Sequence, residues 1–221
     1  MFLGHFAVAL AAKRAVPATS LGTLVLAAQL ADLAWPALLL AGVETVRIQV
    51  GATTVTPLLF DHYPWSHSLA TLVLAGLVLG GCHFLWRRRP RDAFVLALLV
   101  PSHWLLDWVV HVPDLPWTPA PGSPLAGLGL WNSMPASLAI ELGLLALGAL
   151  MYLRISRARD RIGNWSMAVL LAFLVLVYAG NVLGPPPPGI GALAAVGLAQ
   201  WLLVAWAAWA DAHRRVRGSA L

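Results

Sequence analysis

The sequence predicts an all-α, polytopic membrane helical bundle. Sixty per cent of its 221 residues are hydrophobic and only 10% are charged, against about 25% charged in an ordinary soluble domain. Its apolar runs reach the ~20 residues needed to cross a bilayer. Its basic residues gather in short clusters between those runs, the pattern that orients membrane proteins.

One short N-terminal helix and six longer transmembrane spans are expected. The first apolar run covers residues 2–15 and stops before Pro17, because proline does not continue a helix interior. This run precedes Lys13-Arg14 and contains His5, whereas a signal peptide carries its charges first. The second run, 19–42, has spanning length. The third, 66–86, is entered through His62-Tyr-Pro-Trp-Ser-His67-Ser68, where Pro64 stiffens the approach and Ser66 is the expected N-cap. The fourth, fifth and sixth runs cover 92–111, 135–153 and 164–183. The prolines at 185–188 end the sixth, and the last run covers 190–210. With no strong internal repeat and only short loops, residues 1–221 read as a single integral-membrane domain. The one cysteine, Cys82, excludes an intrachain disulfide framework and a cysteine-rich metal site.

Threading these runs alternately across a bilayer divides the charges sharply. Lys13-Arg14, Arg87 to Arg91, Arg154 to Arg161 and Arg214 to Arg217 hold two, four, four and three basic residues on one side, and only Arg47 falls on the other. The positive-inside rule places the clusters and the C-terminus in the cytoplasm. The formal net charge of +5 is thus a topology signal and not a nucleic-acid-binding face. Loops 43–65 and 112–133 are expected outside, with Trp65, Trp104, Trp108, Trp117 and Trp131 forming an interfacial belt or lining a lipid pocket.

The most informative stretch is 91–111, RDAFVLALLVPSHWLLDWVVH. His103, Asp107 and His111 recur at four-residue steps and share one helix face. An ionisable group near the bilayer centre costs about 2.5–3.5 kcal/mol on insertion scales, so such a stripe marks a functional site or a polar seam with partners. Asp32, Glu141, His5 and His67 are expected at comparable depth on other helices. Imidazole nitrogens and carboxylate oxygens are zinc ligands, which makes His5, Asp32, His67, His103 and Asp107 the candidate metal ligands. His62, His111 and Glu141 are candidate catalytic bases or proton relays. Without a metal, the same groups would be helix-packing hydrogen bonds.

The order of these residues resembles the membrane-bound metal-dependent hydrolases, the family also labelled LexA-binding, inner-membrane-associated hydrolases. That pattern has an N-terminal His, a Leu-Pro-Asp-Leu-Asp-like segment, His-Arg-Gly-x-Thr-His-Ser and Ser-His-x-x-x-Asp. Its counterparts here are His5, Asp32, His62 to His67 and Ser102-His103 to Asp107, all in the first half of the chain. Ala34 replaces the second acid, Tyr63-Pro64 replaces Arg-Gly, and Ser66 replaces Thr. A looser likeness joins the chain to the zinc-dependent phospholipase C and S1–P1 nuclease class, with Asp32, His67, His103 and Asp107 around one ion and His5 approaching a second. There Ser137 stands where a His-x-x-x-Glu pair ending at Glu141 would need histidine. The resemblance implies a bacterial inner-membrane hydrolase using a divalent metal, expected to be Zn2+. Its expected substrate is a lipid-linked ester or phosphoester, approached from the outer leaflet. Two other classes remain open at this level: a non-catalytic subunit contacting partner membrane proteins, and a proton- or ion-handling protein.

Overall fold

A computed structural model describes residues 1–216; Arg217, the last of the basic residues, lies outside them. Nine α-helices make up most of the described chain: α1 (Leu3–Ala12), α2 (Leu21–Ala28), α3 (Leu30–Leu40), α4 (Pro64–His67), α5 (Leu69–Arg87), α6 (Pro90–Val110), α7 (Met134–Ile155), α8 (Arg161–Leu183) and α9 (Ile190–Ala212). The last five are each long and apolar enough to cross a membrane. The bent pair α2–α3 passes the same test jointly, which makes up to six spans. The protein is a multi-pass helical membrane bundle.

Run 19–42 is not one straight helix. It breaks at Gln29 with a bend of 56°. A kink interrupts the backbone ladder and makes carbonyl groups available to other donors. Helix α1 has only ten residues, roughly 15 Å at 1.5 Å per residue, half of a ~30 Å hydrocarbon core. Its first turn lies beside Glu141 of α7, and its last ends at Lys13, whose ammonium meets Asp211 of α9 at 2.5 Å. α1 is therefore a half-depth helix enclosed by the longer ones, and His5 lies deep in the bundle.

The entrance to the third span also differs from expectation. Ser66 is inside the short α4, and Ser68 caps α5 by accepting the Thr71 amide. The sequence favours this arrangement because Pro64 starts one turn and Ser68 starts the next. Small strands supplement the helices: β1 (Thr45–Ile48) with β2 (Leu58–His62), β3 (Leu115–Pro116) with β4 (Leu125–Ala126), and β5 (Ser156–Ala158) with β6 (Arg214–Val216), all antiparallel.

Glycines set two close helix contacts. A Cβ on Gly76 or Gly80 of α5 would fall 2.4 Å from the Ala97 carbonyl oxygen or 2.6 Å from that of Ala93, both on α6. On α7, a Cβ on Gly148 would fall 2.4 Å from the Ala7 carbonyl oxygen of α1. Small residues let membrane helices approach in this way. The basic clusters share one end of the bundle, tied by Lys13–Asp211, Thr19–Asp92 and His213–Asp160. The β1–β2 hairpin lies at the other end with loop 112–133, joined to it through Thr54 and the Trp131 carbonyl.

Candidate metal centre

Five polar side chains from four helices converge inside this bundle: His5 from α1, Asp32 from α3, His67 from α4, and His103 and Asp107 from α6. Two overlapping groups, His5–His103–Asp107 and Asp32–His67–His103, each have ligand atoms within 4.8 Å of one another. His103 Nε2 lies 3.1 Å from Asp107 Oδ2 and 3.8 Å from Asp32 Oδ1. His67 Nε2 lies 3.4 Å from Asp32 Oδ1 and 3.9 Å from Asp107 Oδ2. Zinc–ligand bonds of about 2.0–2.2 Å in a tetrahedron put neighbouring ligand atoms about 3.4 Å apart. The four observed separations, 3.1–3.9 Å, bracket that value.

The tautomers suit a cation. His103 Nδ1 is 2.8 Å from the Ala28 carbonyl at the α2–α3 break. A carbonyl only accepts, so Nδ1 carries a proton, and Nε2 is the ring atom turned towards the two carboxylates. His103 Nε2 is buried without a hydrogen-bond partner, and such an orphan is costly unless something else satisfies it. His67 is oriented through Ser66, whose hydroxyl lies 2.7 Å from its Nδ1.

The two oxygens of Asp107 face different partners. Oδ2 faces His103 and His67. Oδ1 accepts from the Met1 amine and lies 3.1 Å from His5 Nε2. His5 also stacks on His103, with ring centroids 3.6 Å apart. Exposure is uneven: the His5, His67, His103 and Asp107 side chains are at most 5% exposed, whereas that of Asp32 is 24% exposed. Asp32 is thus the least covered member of the nest.

The three candidate catalytic residues stand apart from this nest. Glu141 is buried, but its oxygens receive the backbone N–H groups of Phe2 at 3.0 Å and Gly4 at 3.1 Å. It satisfies free amides at the start of α1, so it holds the helix that carries His5. His62 is exposed at the end of β2. His111 is buried at the end of α6 and not at a wetted surface. Its Nδ1 lies 2.9 Å from Asp114 Oδ1 and 3.3 Å from the Tyr63 hydroxyl, and its ring packs 4.3 Å from Trp131. Tyr63 donates to Asp114 at 2.9 Å. Burial, reinforced by the Asp114 carboxylate, pushes the Tyr63 phenol well above its ordinary value, which keeps it a donor.

Several participants escape motif reading. Glu44, Tyr63, Asp114 and the Ala28 carbonyl contribute through contacts between segments distant in sequence. Of the five outer tryptophans, Trp104 is buried and donates to the Pro116 carbonyl at 2.9 Å; Trp65, Trp108 and Trp117 are exposed. No family model matches this sequence, and no curated protein or solved structure matches it.

Proposed function

We propose that the protein is a metal-dependent membrane hydrolase whose substrate is a lipid-linked ester or phosphoester. The observation that carries this reading is the buried His103 Nε2, without a well-aligned hydrogen bond and gathered with Asp32, His67 and Asp107 at coordination-like spacing. A divalent cation, Zn2+ by its preference for imidazole and carboxylate ligands, would supply Lewis acidity for a phosphoryl or acyl oxygen and acidify water. His67, His103 and Asp107 would hold it. Asp32, the most exposed of the four, would close the site at rest and receive a proton from the attacking water. His5 and Met1 engage the far oxygen of Asp107 and would orient it.

The depth of the nest and its enclosure by apolar spans support an amphiphilic substrate. The resemblance of the motif order to membrane-bound metal-dependent hydrolases supports a bacterial inner-membrane setting. The positive-inside pattern supports a cytoplasmic basic end and an outer-leaflet approach. His111, hydrogen-bonded near Asp114 and Tyr63 at the rim, would contact the leaving group or relay its proton.

The test is metal content of the purified protein beside His103→Ala and Asp107→Ala. About one zinc per chain in the native protein and near-zero in both variants is expected. Equal, near-zero metal in all three would sink the metal reading. Release of the polar headgroup from a lipid phosphoester, abolished by a chelator and restored by zinc, tests the hydrolase reading.

A further inference from the structure

Glu44 is a buried and fully engaged acid outside the candidate metal centre. It precedes β1 and is 1% exposed. One oxygen accepts the Trp65 and Ser66 amides, both at 2.8 Å, and the other accepts the Ser66 hydroxyl at 2.6 Å. Ser66 Oγ in turn lies 2.7 Å from His67 Nδ1. A serine hydroxyl has one proton and the carboxylate has none to give. With that proton directed to Glu44, Ser66 Oγ faces His67 as an acceptor. His67 Nδ1 must then be the donor, which leaves Nε2, directed at Asp32 and Asp107, as the nitrogen that would bind a metal.

We infer that Glu44 and Ser66 form a positioning chain that fixes the tautomer and ring orientation of His67, and thereby sets the zinc affinity of the centre. The inference rests on the metal reading of that centre. Residues behind metal-bound imidazoles act in this way generally, and their loss costs about 10–100-fold in affinity. The chain also couples a loop to a ligand. Glu44 stands 22 residues before Ser66, across the whole β1–β2 hairpin, so the hairpin's base and His67 share one carboxylate.

The two roles of Glu44 separate cleanly by substitution. Ser66→Ala keeps the Glu44 contacts to the two amides, which hold α4, and removes the hydroxyl that joins Glu44 to His67. Ser66→Thr keeps the hydroxyl. Full-length protein in detergent is titrated with Zn2+ alone by competition with a chromophoric chelator, and His67 is followed by 15N NMR in the same samples. Ser66→Ala is expected to bind about 10–100-fold more weakly, with His67 shifting from a single Nδ1-protonated form to a mixture. Ser66→Thr is expected to remain close to native in both readouts. Glu44→Gln should follow Ser66→Ala, and its melting temperature separates this effect from loss of the α4 contacts. Native zinc affinity in Ser66→Ala, with affinity lost in His67→Ala, overturns the positioning chain and leaves the metal reading intact. If the native protein takes no zinc, the metal reading falls, and the proposed control of zinc affinity falls with it. The NMR arm then still decides the tautomer: an unchanged His67 in Ser66→Ala overturns that part as well.

Discussion

His62 and His67 frame one short motif, yet only His67 reaches the polar nest. They lie five positions apart, but β2 ends at His62 and α4 begins at Pro64, so the chain turns between the two and leaves His62 exposed. His62→Ala is accordingly expected to keep native zinc content, measured alongside His67→Ala, which should lose it. The residue types and the four-residue step of His103 and Asp107 were legible because both lie on one helix. Glu44 was not: nothing near Gly42-Val-Glu44 foretells a contact with Ser66. Lys13 shows the same limit at the other end. It looks like a topology-determining surface charge, but it is 5% exposed and paired with a 10% exposed Asp211, which Tyr152 and the Leu21 amide also engage. Removing one member of a buried pair leaves an uncompensated charge, at about 3–5 kcal/mol. Lys13→Met should therefore lower stability by about that amount in denaturant unfolding. An exposed change such as Arg157→Met should cost under about 0.5 kcal/mol.

At the scale of elements, hydrophobic length located the long helices to within a few residues. It did not show that run 19–42 is broken, because Gln29 and Asp32 are compatible with a continuous helix and the kink is stabilised by what surrounds it. It gave α1 as a short helix, but not that α7 holds it. That contact depends on Gly148, which has no room for a side chain against Ala7. Gly148→Val should overpack the α1–α7 seam, cost about 1–3 kcal/mol, and displace His5 from Asp107. Both the melting temperature and zinc affinity should fall. Gly143 lies on the same helix with open space around its Cβ position, so Gly143→Ala should leave both unchanged; matching losses in the two variants would contradict a specific seam.

For the whole molecule, charge distribution made the polarity of the bundle legible before any contact was known. We propose, from the positive-inside rule, that the basic end is cytoplasmic, and thiol labelling checks this directly. In a Cys82→Ala background, Thr54→Cys on the hairpin should react with an impermeant thiol reagent in intact cells, and Arg159→Cys only after lysis. The basic end also carries a pH signature. The His213 hydrogen bond, helped by the Gly163 amide, holds the Asp160 carboxyl below its ordinary value. A carboxyl with a depressed folded-state value contributes stability above its unfolded value, near 3.9, and loses it as the pH falls through the folded one. Thermal unfolding of the native protein and Asp160→Asn should differ at about pH 6 and converge as the pH drops below about 3.

The break at Gln29 has a consequence for biosynthesis. Its two halves have 8 and 11 residues, each too short to cross alone, and the second carries Asp32. That carboxylate enters the membrane at a cost of about 2.5–3.5 kcal/mol, while its partners His67 and His103 are still unmade. At roughly 5–20 residues per second, the ribosome needs on the order of ten seconds to reach α6. Asp32 gains His67 with α4 but His103 only with α6, so the polar nest closes when α6 is complete.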